Sequence, residues 1–199
     1  KRTCPDFDLL DVVPASIDLS GAELEVADME NRNVLLKTAV DEFLETSEEH
    51  YDYVIIDCPP SLGLLVINAM CAVHEMLIPI QAEYYALEGL GQLINTIGLV
   101  QEHFNPSLLV STMLITMFDK RTLLSREVHD EVKNHYPTIV LNTTIPRTVK
   151  ISEAPSFNQS VIAYDPKGMG AIAYCEAALE IARRSQTVLK AIDARRNEN

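Results

Sequence analysis

YDYVIIDCPPSLG, residues 51–63, is an apolar run that ends in a carboxylate and is stopped at once by two prolines. Residues 53–57 (YVIID) are rich in Val and Ile and show no polar alternation. That suits a strand buried on both faces of a parallel sheet, although a short buried helix has the same pattern. Length and the Pro59–Pro60 block favour strand, since proline lacks the amide donor that helix or ladder needs, so Asp57 is expected at the C-terminal rim of a sheet. A carboxylate there suits Mg2+, which keeps part of its water shell and takes one or two carboxylates plus phosphate oxygens. A carboxylate that only caps the following turn fits the same residues.

Other apolar runs flank this one: residues 8–14 (DLLDVVP), 75–81 (EMLIPIQ), 108–118 (LLVSTMLITMF) and, more weakly, 138–145. Helix-period segments fill the intervals at residues 34–45, 64–73, 87–103, 123–135 and 170–194. Alternating strand and helix predicts an α/β fold: a mostly parallel sheet with right-handed crossovers and helices on both faces. Ligands in such sheets bind where strand C-terminal ends meet a topological switch point. No linker, repeat or low-complexity stretch divides the chain, so residues 1–199 are expected to form a single domain.

The 199 residues, 47% hydrophobic and 23% charged, can bury a substantial core. No apolar run approaches the roughly 20 residues that span a bilayer, and residues 1–11 have neither signal-peptide nor transit-peptide character, so a soluble cytoplasmic protein is expected. Cys4, Cys58, Cys71 and Cys175 are far apart, without C-x-x-C or ligand-spaced histidines, which fits reduced thiols rather than zinc or a disulfide framework. The formal charge of -13 argues against a protein that coats nucleic acid indiscriminately. Its distribution is uneven: residues 1–100 hold 4 Lys/Arg against 18 Asp/Glu, residues 101–199 hold 12 against 11. Any anion-binding face therefore belongs to the second half.

A phosphate loop of the form G-x-x-x-x-G-K-[ST] is absent from these residues: Lys37–Thr38 lacks the upstream glycine, and Gly89/Gly91 and Gly168/Gly170 do not follow strands. His129 and His135 are six apart, which puts them on different helical faces and rules out a zinc-protease helix. Residues 117–150 carry Lys120, Arg121, Arg126, Lys133, Arg147 and Lys150 against four acids. Arg121 and Arg147 each follow a predicted strand, where a guanidinium can grip a phosphate of nucleotide or DNA bidentately; ordinary surface charge is the alternative.

Five stretches in order, residues 13–25 (VPASIDLSGAELE), 51–63, 77–90 (LIPIQAEYYALEGL), 116–128 (TMFDKRTLLSREV) and 145–174 (IPRTVKISEAPSFNQSVIAYDPKGMGAIAY), resemble the ParA/Soj partitioning ATPases. These are P-loop NTPases with a deviant, lysine-doubled phosphate loop. The resemblance implies that Asp57 orders Mg2+ and the attacking water, that Met117, Ile145 and Pro146 pack around adenine, and that Arg121, Arg147 and Lys150 grip DNA without sequence preference. It implies ATP and Mg2+ as cofactors and residues 81–90 near the nucleotide and dimer interface. It further implies an ATP-bound homodimer, a ParB-like partner that triggers hydrolysis, no membrane, and a place on the nucleoid. Family members often carry Asn-Arg where this chain has Val149-Lys150, preceded by Thr148; lysine lacks the bidentate fork, which implies a weaker grip. The family's first strand and phosphate loop have no counterpart here, so these residues are expected to lack hydrolysis by themselves, and to fold poorly, associate, or differ in sheet order. Two alternatives remain: a non-catalytic remnant or interaction module, and a MinD-like membrane-cycling ATPase. The second needs a basic amphipathic tail with bulky apolar anchors, which residues 179–199 largely lack.

Overall fold

A computed structural model describes residues 2–4 and 7–197; the side chains of residues 2, 3, 20 and 185–197 are not part of that description. The chain divides into two compact units, residues 1–69 and 70–199.

In the first unit, β1 (Arg2–Thr3) pairs antiparallel with β2 (Asp11–Val12). Helices α1 (Leu19–Glu25) and α2 (Leu35–Thr46) follow, and α3 (Leu64–Ala72) begins in this unit. Neither α1 nor α2 has a side-chain cap from its own N-cap residue. For α2 the cap comes from far along the chain: Asn68, 7% exposed, accepts the Leu36 N–H on Oδ1 (3.2 Å) and donates through Nδ2 to the Arg32 and Leu64 carbonyls (2.7 and 3.0 Å). Glu23 of α1 does the same for α3, its Oε1 accepting the Leu65 N–H at 3.1 Å. Each bond satisfies a first-turn amide that would otherwise need water.

Two of the expected strands are corrected here. Residues 8–14 contribute only β2, which is antiparallel rather than parallel, and Leu9 and Val13 stand exposed. Residues 53–57 join no helix or ladder among the described residues; Tyr53, Val54 and Ile55 are exposed, Ile55 at 89%. An apolar sequence can favour extension, yet a strand exists only when a neighbour takes up its amides and carbonyls. No described strand stands beside these residues, so Asp57 ends an unpaired segment rather than a sheet strand.

The second unit is built on β3 (Glu75–Gln81) and β4 (Leu109–Thr116), parallel in register from Glu75↔Leu109 to Gln81↔Thr116, with an irregularity at Met76/Leu77. Both coincide closely with the predicted runs. Helix α4 (Ala86–His103) makes the crossover between them. Residues 138–146 lie along the other edge of β4, bridging in parallel at Met113↔Val140 and Phe118↔Pro146. As the central element, β4 is buried continuously from Ser111 to Ile115, matching its unbroken apolar run. β3 differs from expectation: Ile78 and Ile80 are buried while Leu77 and Gln81 are exposed, so only one face is covered. Pro79 fits there, because an edge strand tolerates a missing donor.

Helix α5 (Leu123–His135) is capped by the Thr122 hydroxyl accepting the Ser125 N–H, and buried Ser125 in turn donates to the Ala82 carbonyl at the end of β3. After residues 138–146 come α6 (Val149–Glu153), a 3-10 turn (Ala154–Phe157), α7 (Val161–Tyr164) and α8 (Met169–Asn197). Leu114, Leu141, Ile145, Ala173 and Ala177 form a core cluster joined by Ile151 and Ile181. Gly170 lets α8 approach α6: a Cβ there would lie 2.8 Å from Ile151 Cγ1, far inside van der Waals contact.

Candidate functional site

A cleft of about 540 Å³ opens at the C-terminal end of β4, within the second unit. Its walls are two loops, residues 116–121 and 145–148. They are tied together where the Phe118 N–H donates to the Ile145 carbonyl (3.0 Å) and the Arg147 N–H donates to the Phe118 carbonyl (3.0 Å). Met117 sits between these ties and β4 with φ 52°, a left-handed conformation that costs a non-glycine residue about 1–3 kcal/mol. The neighbours impose it. Thr116 O accepts from Ala82 on one side of β4, and Phe118 N–H must turn to Ile145 on the other.

Met117, Ile145 and Pro146, the expected base-packing residues, all line this cleft, and so do Arg121 and Arg147. The apolar surface continues through Val149, Ile151 and Tyr174, the last contributed by α8. A volume of this size, with Met117, Ile145, Pro146, Val149 and Ile151 set among charged and hydroxyl-bearing side chains, can take a flat heteroaromatic ligand with polar edges. Lys150 lies outside the lining, between Val149 and Ile151; its Nζ bonds Glu153 Oε2 at 3.1 Å and sits 5.2 Å above the Tyr164 ring. Tyr174, Thr116 and Ser152 also line the cleft and were given no role from sequence, although all three fall within the stretches that carry the resemblance.

Asp119 organises the rim. Its Oδ1 accepts the Arg121 backbone N–H (3.0 Å) and Nε–H (2.9 Å), while Oδ2 accepts from Nη2 (2.7 Å). Its carbonyl also accepts the Thr122 hydroxyl at 3.0 Å. The side-chain and backbone hydrogen bonds from Arg121 hold the Asp119 carboxyl down at about 2, with the Arg147 charge adding to the effect. Arg147 itself lies 3.9 Å from Glu83.

The far wall is anchored by α8. Glu180, its side chain 17% exposed, accepts the backbone N–H groups of Asn142 (2.9 Å) and Thr143 (3.1 Å), the Thr143 hydroxyl (3.1 Å), and a 2.5 Å contact from Arg184. Arg184 also donates to the Thr138, Ile139 and Val140 carbonyls. Burial pushes the Glu180 carboxyl upward, but these donors outweigh it and hold it below the usual carboxylate value.

Asp57 belongs to the first unit and is exposed beside Cys58, whose thiol is pushed up by burial and by the Asp57 charge. As a single hard-oxygen donor it fits Mg2+, which keeps most of its water and completes its shell with phosphate oxygens. Cys4, Cys58, Cys71 and Cys175 are all free thiols. No helix of the described residues is long and apolar enough to cross a membrane. The side chains on which a membrane-binding tail depends, Lys190, Arg195 and Arg196, lie outside the described ones.

Comparison with known proteins places these features in context. Residues 3–110 match the AAA domain family. The chain is 51% identical over 173 residues to the sporulation initiation inhibitor protein Soj of Bacillus subtilis, covering 87% of this chain and 67% of that one. It is 46% identical over 175 residues to the chromosome partitioning protein ParA of Myxococcus xanthus, covering 88% and 60%. In structure it resembles cobyrinic acid a,c-diamide synthase from Mycobacterium smegmatis with bound ADP and magnesium, at TM-score 0.70 and 38% identity, over 87% of this chain and 62% of that one. The chain thus spans about three-fifths to two-thirds of the length of the proteins it matches. Similarity of this extent places the chain in the ParA/Soj family of chromosome-partitioning P-loop ATPases.

Proposed function

We propose that this chain works in the ATP-dependent partitioning of chromosome or plasmid DNA, and that the cleft at the end of β4 receives the adenine of ATP. The observation that carries the reading is the convergence of Met117, Ile145 and Pro146, from two separate loops, on one cleft large enough for a base. Asp57 is the carboxylate that would hold Mg2+ through water; the ion, when bound, neutralises phosphate oxygens. Arg121, Arg147 and Lys150 serve the DNA backbone, so binding is sequence-independent and falls steeply with salt.

Residues 1–199 act as a single ParA-type domain within an ATP-dependent homodimer. A ParB-like partner stimulates hydrolysis, and the protein works in the cytoplasm on the nucleoid. No phosphate-gripping loop occurs within these residues, so hydrolysis is assigned to a polypeptide that supplies one and not to these residues alone.

Binding of a fluorescent ATP analogue with Mg2+ to the natural polypeptide that carries residues 1–199 tests the assignment. Met117→Ala should weaken binding about tenfold, the equivalent of the ~1.4 kcal/mol lost when an apolar side chain leaves a base. Asp57→Ala should retain the analogue while ATP hydrolysis is lost. Unchanged affinity in Met117→Ala would place the base elsewhere.

A further inference from the structure

Each of the three cations assigned to DNA faces a carboxylate of its own unit: Arg121 with Asp119, Arg147 with Glu83, Lys150 with Glu153. The pairing is selective. Lys120 and Arg126, on the same basic stretch, have no carboxylate partner among the described residues. It is also tightest at the cleft rim, where Asp119 occupies the Nε/Nη2 edge of Arg121, the edge best shaped for two oxygens of one phosphate.

We propose that Asp119 is a built-in phosphate mimic: it occupies Arg121 at rest and must be displaced, or its repulsion overcome, before a DNA phosphate binds there, with Glu153 in the same role at Lys150. This rests on the reading of Arg121 and Lys150 as DNA contacts and adds how their grip is restrained. One feature separates a competitor from a residue that merely orients the arginine. Asp119 needs no help from the guanidinium to shape the turn, because its Oδ1 takes the Arg121 backbone N–H and its carbonyl the Thr122 hydroxyl. Its negative charge also opposes an incoming phosphate at the same guanidinium edge. The acidic balance of the chain points the same way, since unrestrained cations would favour indiscriminate binding.

The test is the affinity of the natural polypeptide carrying residues 1–199, with ATP and Mg2+, for a random-sequence DNA duplex at fixed salt. Asp119→Asn keeps the acceptor for the Arg121 N–H and removes the charge; it should tighten binding about three- to tenfold. Glu127→Gln, an equal charge change at an exposed position of α5, should have a smaller effect. In an Arg121→Ala background Asp119→Asn should gain nothing beyond the Glu127→Gln control, as a double-mutant cycle requires of a direct pair. Glu153→Gln with and without Lys150→Ala repeats the cycle at a site that leaves the β4 loop untouched. Weaker binding in Asp119→Asn makes the carboxylate an orienting group and overturns the proposal, as does a gain no larger than that of Glu127→Gln. If Arg121→Ala and Lys150→Ala leave DNA affinity unchanged, the DNA assignment itself falls.

Discussion

Glu180 is the residue whose removal should be felt most widely, because one carboxylate on α8 holds the segment that forms a wall of the cleft. Glu180→Ala strips acceptors from the Asn142 and Thr143 amides and leaves Arg184 without its carboxylate. A hydrogen bond to a charged group contributes about 1.5–3 kcal/mol net, and water can reach the exposed Asn142, so the loss should be about 2–3 kcal/mol rather than the full sum. For a chain of this size each kcal/mol moves Tm by roughly 2–4 °C, which predicts a fall of about 4–12 °C. Urea denaturation should show a lower midpoint at an unchanged slope.

The pH dependence has a definite sign. Glu180 is held below its unfolded value of about 4.3, so its charge-dependent stabilisation is complete above that pH and disappears as pH falls through the lower folded value. The stability gap between wild type and Glu180→Gln should therefore be widest at neutral pH and close under acid. Nucleotide-analogue affinity should fall with the Tm, since residues 142–144 lead directly into Ile145, Pro146 and Arg147. A Tm for Glu180→Ala that matches wild type, or a gap to Glu180→Gln that widens in acid, would refute the clamp.

Two further substitutions test the packing beneath the site. Gly170→Val should destabilise by about 1–3 kcal/mol through the clash with Ile151, and adding Ile151→Ala should recover part of the loss; full additivity in urea melts would show that the close approach is unimportant. Asn105, 8% exposed, donates from Nδ2 to the Met70 and Val73 carbonyls at the end of α3. Asn105→Ala should cost about 1–3 kcal/mol, measured by the same melts, whereas a neutral result would mean that water replaces both bonds.

How much of this was legible beforehand differs by element. The β3 and β4 runs and the helices α4 and α5 have boundaries nearly the same as their sequence patterns, because each signal is local: apolar density for a central strand, a 3.6-residue stripe for an amphipathic helix. Residues 53–57 carry an equally strong local signal and are not a strand here, because ladder formation depends on a second segment being present at the right place. The short helices α1, α6 and α7 went unread, being too brief for periodicity and dependent on caps such as Thr148 and Ser160.

By itself the sequence determined the α/β class and the family, since these follow from order and chemistry along one chain. Tertiary structure alone decided that Met117, Ile145, Pro146, Arg121 and Arg147 share a single cleft, while Lys150 turns away to Glu153 and Tyr164. It alone revealed that Asp119, Glu83 and Glu153 sit against the cations, and that Glu180 reaches back to Asn142. The physical reason is range: propensity and periodicity act over a few residues, whereas an ion pair or a cap depends on a distance of about 3 Å between groups that only folding brings together.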